Sequence, residues 1–171
     1  MPRKPDFQYD FRAVTEDDLP MLSAWLAEPH VAEWWNDGPG TALAEIVEAM
    51  ESDSTEPLIV ELDGKPIGYV QSYDPHLEDD HPYQDQPFGT LGIDVTIGVP
   101  ELVGIGHGSR LVRAFVEILF EEGCPRVIID PHPGNGRAIR AYEKAGFRRL
   151  GERTTPFGPA LIMAIDAEAE D

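Results

Sequence analysis

The sequence predicts an α/β domain of α+β character, in which one mixed sheet carries helices against its faces. Three observations predict it. Strand-like and helix-like segments follow in the order β-α-α-β-β-β-α-β-α-β-β, which a single flanked sheet accommodates. A glycine-punctuated run, Gly104-Ile105-Gly106-His107-Gly108-Ser109, joins a strand to a helix in the second half of the chain. The 171 residues, 42% of them hydrophobic, are enough for one core, and the single cysteine, Cys124, leaves that core without an internal disulfide.

The elements justify that order one by one. Residues 7–14 alternate as a strand. Thr15 with Asp18 three residues on forms a capping-box pattern, and Leu19, Leu22, Trp25 and Leu26 recur at helical spacing until Pro29 ends the helix. Thr41 opens a second helix with Leu43, Ile46, Val47 and Met50 on its stripe. Residues 57–62 and 66–73 are strands joined by the hairpin signal Asp63-Gly64. Residues 74–88 form a long loop rich in Asp, Glu, His and Pro, and 89–97 return to strand. After the glycine loop, residues 109–122 carry a strong apolar helical stripe, 126–130 a short β-branched strand and 135–145 a helix. Two strands follow from Phe147, turning at residues 156–159. The whole chain, 1–171, reads as one domain.

The formal net charge is -19, with Lys4, Lys65 and Lys144 the only lysines. Such a field repels nucleic acid and anionic membranes and draws in cations. Two readings of it stay open: a surface adapted to a salty cytoplasm, and a site that collects polycationic small molecules. No apolar run of the length needed for a signal peptide or a membrane span occurs, and a cytoplasmic protein, monomeric or homodimeric, is expected.

Glycines let a loop wrap an anion without Cβ atoms in the way, and the helix that follows presents its first N–H groups and the positive end of its dipole. The run at 104–109 therefore reads as a pyrophosphate cradle. A dinucleotide fold would place it near the start of a βαβ unit, and a P-loop would follow it with Lys-Ser or Lys-Thr; neither holds here.

Downstream, Asn135-Gly136-Arg137-Ala138-Ile139-Arg140-Ala141-Tyr142-Glu143-Lys144-Ala145-Gly146-Phe147 resembles the signature of the GNAT acetyltransferases, an Asn-initiated helix ending in Tyr-Glu-Lys-x-Gly-Phe. Gly92-Ile93-Asp94, Ile129-Asp130-Pro131-His132-Pro133-Gly134-Asn135 and Arg153-Thr154-Thr155-Pro156-Phe157-Gly158-Pro159-Ala160 are similar to stretches of the aminoglycoside 6′-N-acetyltransferase group, as are Glu33-Trp34-Trp35 and residues 68–73. Acyltransferases for siderophore lysine side chains share part of the pattern, and a CoA-binding module without catalysis is the third reading.

The resemblance implies a GNAT fold with a mixed, mostly antiparallel sheet of about six to seven strands flanked by about four helices. The sheet is expected to splay between the strand of Asp94 and the strand ending at Asp130. It also implies direct transfer from acetyl-CoA to a primary amine of a small polycationic acceptor, with no metal. Acetyl-CoA is expected against Val95, Ile97, Val103, Gly104, Ile105, Gly106, His107, Gly108 and Ser109, and against Asn135, Ala138, Tyr142 and Lys144 of the following helix. Asp94 is the candidate base, with simple binding of the ammonium as the alternative, and Tyr142 the candidate proton donor to the departing thiolate. The acceptor is expected among Trp35, Gln71, Tyr73, Asp94 and Asp130, with Asp79 and Asp80 in an acidic lid. Packing remains an alternative for Tyr142, as do capping for Asn135 and turn formation for Asp130. The crowding of Asp74, His76, Glu78, Asp79, Asp80, His81 and Asp85 in one loop fits a cation-collecting lid, a metal site or a solvated loop. Two residues depart from the family pattern. Val103 stands where many members carry Arg or Gln before the first glycine. Phe157 stands where the aminoglycoside group carries an aspartate that holds ammonium groups.

Overall fold

The computed structural model describes residues 8–34 and 39–168. Seven strands form one sheet in the order β1-β2-β3-β4-β5-β7-β6. They are β1 (Tyr9–Ala13), β2 (Thr55–Leu62), β3 (Lys65–Tyr73), β4 (Leu91–Ile97), β5 (Arg126–Ile129), β6 (Arg148–Thr155) and β7 (Gly158–Asp166). The helices are α1 (Leu19–Ala27), α2 (Pro29–Ala32), α3 (Pro39–Met50), α4 (His107–Glu121) and α5 (Gly136–Ala145). The element order is the expected one with one addition: Pro29 does not merely stop α1 but opens the one-turn α2, where its missing N–H costs nothing.

All neighbours pair antiparallel except β4 and β5, which run parallel and share only two register positions, Leu91 with Val127 and Gly92 with Ile128. Past Gly92 the two strands part, so the sheet carries a notch between Asp94 and Asp130. The sheet's alternation sorts its side chains onto two faces. Leu161, Met163 and Ile165 of β7 join Ile93 of β4, Val127 of β5 and the α4 stripe Leu111, Val112, Phe115 and Leu119 in the larger core. Ala160, Ile162 and Ala164 face the other way, with Ile128 and Tyr83. On that second face the amino-terminal half is covered by α1, α2 and α3 through Leu22, Leu26, Val31 and Ile46 over Ile59 and Tyr69. The loop of residues 74–90 covers the carboxy-terminal half by seating Tyr83, 1% exposed, on the strands. That loop is therefore part of the core, with Asp79 and Asp80 turned outward.

The Thr15–Asp18 capping box is present, capping a 3-10 turn that leads into α1. Asp18 also takes two hydrogen bonds from the Arg12 guanidinium, both at 2.8 Å. These contacts hold its carboxyl down to about 2, the Arg12 hydrogen bonds being the main cause. Because the folded-state value is depressed, the stabilisation is present above the unfolded value of about 4 and is lost as pH falls toward 2. Asp18→Asn is expected to cost about 2 kcal/mol at neutral pH, a drop in Tm that shrinks below pH 4.

Candidate active site

The notch opens between two clefts. The first, of about 650 Å³, is lined by Val95, Thr96 and Ile97 of β4, by Val103, Gly104, Gly106, Gly108 and Ser109, by α5 and by His30 and Trp34. Gly98 N–H donates to Ile67 O on β3, which sets the alternation along β4. The backbone groups of Val95 and Ile97 consequently face away from β3 and into the notch. The Ile97 carbonyl there accepts a hydrogen bond from the His30 ring, Nε2 to O 2.7 Å.

The glycine loop adopts the tight backbone its spacing suggests. Gly104 and Gly106 have φ of 80° and 96°, a region costly for other residues, and Gly106 is the N-cap of α4. The first-turn N–H groups of α4 have no preceding helical carbonyl to bond, and three side-chain-free residues of the loop and first turn line the cleft beside them. Arg137, Arg140 and Lys144 of α5 line the same cleft. In a chain of net charge -19 this concentration of cations is a local exception, and it suits a ligand that carries phosphates. Asn135 caps α5 by accepting from the Ala138 N–H at 3.2 Å and still lines the cleft, so both of its expected roles are geometrically compatible.

Of the residues expected around the cofactor, two turn their side chains away from the cleft while their backbone stays in the loop and first turn. Ile105 projects outward and is 59% exposed. His107 is buried at 5% exposure, its Nδ1 2.7 Å from the Tyr9 hydroxyl, because the first turn of α4 rolls that position onto β1. Burial, then the Arg110 charge, pushes its pKa down.

The second cleft, of about 590 Å³, is lined by Glu45, Glu48, Glu78, Asp94 and Asp130, and by no lysine or arginine among the described residues. Gln71, opposite Asp94 in the β3–β4 register, donates from Nε2 to Asp94 Oδ2 at 2.8 Å, and accepts in turn from Tyr69. Tyr83 donates to Asp130 Oδ2 at 2.6 Å. Tyr73 lies flat over Gly92, where a Cβ would stand 2.1 Å from its ring. A side chain at 92 would thus displace the aromatic from the point where β4 and β5 separate. Burial raises both Asp94 and Asp130, and the Asp130 charge raises Asp94 further. The two exchange protons as a pair, at a pH well above the usual carboxylate range. Such groups in a cleft are poised for proton transfer at neutral pH.

Gln71, Tyr73, Asp94 and Asp130 line the acidic cleft, whereas Asp79 and Asp80 do not: Glu78 is the carboxylate the loop contributes, beside His81 and Tyr83. Trp35 lies outside the described residues, and its neighbour Trp34 lines both clefts. Glu45 and Glu48 went unread in the sequence because α3 carboxylates look like an ordinary solvated face; their position flanking the buried Ala42, Ile46 and Ala49 was the available signal. Among the described residues no group of three or more His, Cys, Asp or Glu is arranged to hold a metal ion. No described helix is long and apolar enough to cross a membrane.

Tyr83 offers a direct probe of the pair. Its O–H stabilises ionised Asp130, so Tyr83→Phe removes that stabilisation and raises the proton affinity of the pair. The acidic limb of kcat/KM is expected to move to higher pH, by about half a unit to one unit, for the loss of one hydrogen bond to a charge.

A parted sheet over a glycine-lined helix start, with a basic cleft on one side and paired carboxylates on the other, suits a site that brings a phosphate-bearing ligand to a cationic one. A model of the acetyltransferase (GNAT) domain matches residues 14–155. The aminoglycoside N(6′)-acetyltransferase type 1 of Klebsiella pneumoniae is 41% identical over 166 residues, spanning 92% of this chain and 83% of that protein. The structure of AAC(6′)-Ib in complex with paromomycin and acetyl-CoA aligns with a TM-score of 0.84 at 41% identity, covering 92% of this chain and 93% of that one. More distantly, the lysine N-acyltransferase MbtK of Mycolicibacterium paratuberculosis is 30% identical over 179 aligned residues, spanning 100% of this chain and 81% of that protein. The chain belongs to the GNAT acetyltransferase family.

Proposed function

We propose that the protein transfers the acetyl group of acetyl-CoA to a primary amine of a small polycationic acceptor of the aminoglycoside type. One observation carries this reading. A basic cleft and an acidic cleft meet in the notch, sharing Trp34, Val95, Asn135, Ala138 and Tyr142 as common walls. The basic side suits a phosphate-bearing donor and the acidic side a cationic acceptor, with the reacting atoms brought together between them. The relatives of known activity point the same way.

Acetyl-CoA supplies an activated acyl group on a thiol that leaves readily. The loop of residues 103–109 and the α4 N-terminus would hold its diphosphate, with Arg137, Arg140 and Lys144 adding charge. The Val95 N–H, unpaired in the sheet, would donate to the thioester oxygen as charge builds there. Asp94 takes the proton that the acceptor's ammonium must lose before its nitrogen attacks the carbonyl carbon. Asp130, held by Tyr83, pairs with the cationic acceptor. As the carbon–sulfur bond breaks, Tyr142 gives a proton to the thiolate and recovers one from the newly acylated nitrogen, which must shed its second proton to become the amide. The Tyr142 hydroxyl is held well above the usual tyrosine range by burial, then by Asp94 and Asp130, and it therefore stays protonated at neutral pH. The test is thiol release from acetyl-CoA with kanamycin, in the presence of a thiol reagent. Release that depends on the amine is expected, and its absence with kanamycin and a panel of other amines would remove this reading.

A further inference from the structure

The acidic cleft is not acidic on every side. Glu45 and Glu48 reach it from α3, which packs over β2, while Phe157 reaches it from the β6–β7 turn beyond β5. The sheet order places these on opposite sides of the notch. Phe157 is 70% exposed, yet its backbone is pinned: its N–H donates to Thr155 Oγ1 at 3.1 Å, and that hydroxyl donates to Gly158 O at 2.9 Å. The His81 ring stands behind it, with centroids 6.2 Å apart, and stacks in turn near Tyr73 at 5.2 Å. Tyr83 N–H donates to His81 Nδ1 at 3.1 Å, which leaves Nε2 to carry the proton toward Glu78, 3.4 Å away. Burial lowers the His81 pKa, against the smaller opposing pull of the Glu78 charge. Asp85, the nearby carboxylate, is tied to Arg153 at 2.9 Å and does not line the cleft.

We propose that Phe157 is an apolar subsite of the acceptor cleft, and that the acceptor is an amphipathic amine. Its ammonium groups lie toward α3, Asp94 and Asp130, and an alkyl, aryl or deoxygenated ring face lies on Phe157. An exposed phenylalanine gains from covering by such a face, and its ring presents no counter-charge to an ammonium group. This rests on the amine-acetyltransferase reading and narrows its acceptor from any polycation to one with an apolar side.

The experiment compares 1,4-diaminobutane with N-benzyl-1,4-diaminobutane, which carry the same charge. Calorimetric titration measures binding, and thiol release from acetyl-CoA measures turnover, each with kanamycin in parallel. The wild-type protein is expected to bind the benzyl compound about tenfold tighter. Phe157→Ala is expected to abolish that difference with Tm unchanged, since the side chain is mostly exposed. Phe157→Asp is expected to favour kanamycin over the benzyl compound relative to wild type. Equal binding of the two diamines by wild type, or a preference that survives Phe157→Ala, would overturn the subsite. A binding preference without thiol release from any amine would leave the subsite standing and remove the catalytic reading; thiol release blind to Phe157 does the reverse.

Discussion

Asp94→Asn is expected to lower kcat for amine acetylation at least about tenfold, at the low end of what a positioned base contributes. The asparagine preserves volume and a hydrogen bond with Gln71 Nε2, 2.8 Å from the carboxylate in the wild-type protein, so the fold is expected to hold. What disappears is the proton acceptor. The substitution also removes a negative charge facing Asp130, whose proton affinity falls although burial still holds it above the usual range. Any residual activity is therefore expected to show an acidic limb at lower pH than wild type. A rate within twofold of wild type would take Asp94 out of the proton transfer and leave it as a binding group.

Tyr142→Phe is the second large effect, expected to lower kcat about tenfold while leaving the KM for acetyl-CoA within about twofold. A thiol ionises near pH 8.5, so its anion leaves with less assistance than an alkoxide or amide would need, and the loss stays near the lower end for a general acid. The ring packs against Phe147, centroids 6.3 Å apart, and phenylalanine retains that contact. Steady-state kinetics with acetyl-CoA varied separates the two parameters. A raised KM with kcat intact would mean that the hydroxyl only lines the cleft.

Much of this was legible in the sequence because it depends on local rules. Glycine spacing before α4, the Asn135 cap of α5 and the alternation that sets Asp94 against Ile93 and Val95 are short-range, and resemblance to a known family supplied the notch. Residues brought in over long distances were not legible. Tyr83 sits in a charged loop, and only the sheet beneath reveals that it closes a core and reaches Asp130, 47 positions away. Charge density in the loop of residues 74–88 points to Asp79 and Asp80 no less than to Glu78, whereas the fold leaves Glu78 half-buried and the other two exposed. Arg137 and Arg140 were in view as part of a motif, but their meaning comes from helix phase: with Lys144 they recur at three and four residues, so one face of α5 delivers three cations to one cleft. The His107 side chain obeys the same rule in reverse, since helix phase carries it onto β1.

Donor binding depends on the peptide N–H groups at the start of α4, which are expected to hold the diphosphate with the acyl end beside Val95 and Tyr142. The decisive test is a crystal structure of the protein grown with coenzyme A. Diphosphate density is expected within hydrogen-bonding distance of the backbone at residues 104–109, with the sulfur in the notch between β4 and β5. Coenzyme A bound elsewhere, or a diphosphate held by side chains away from that loop, would overturn this arrangement.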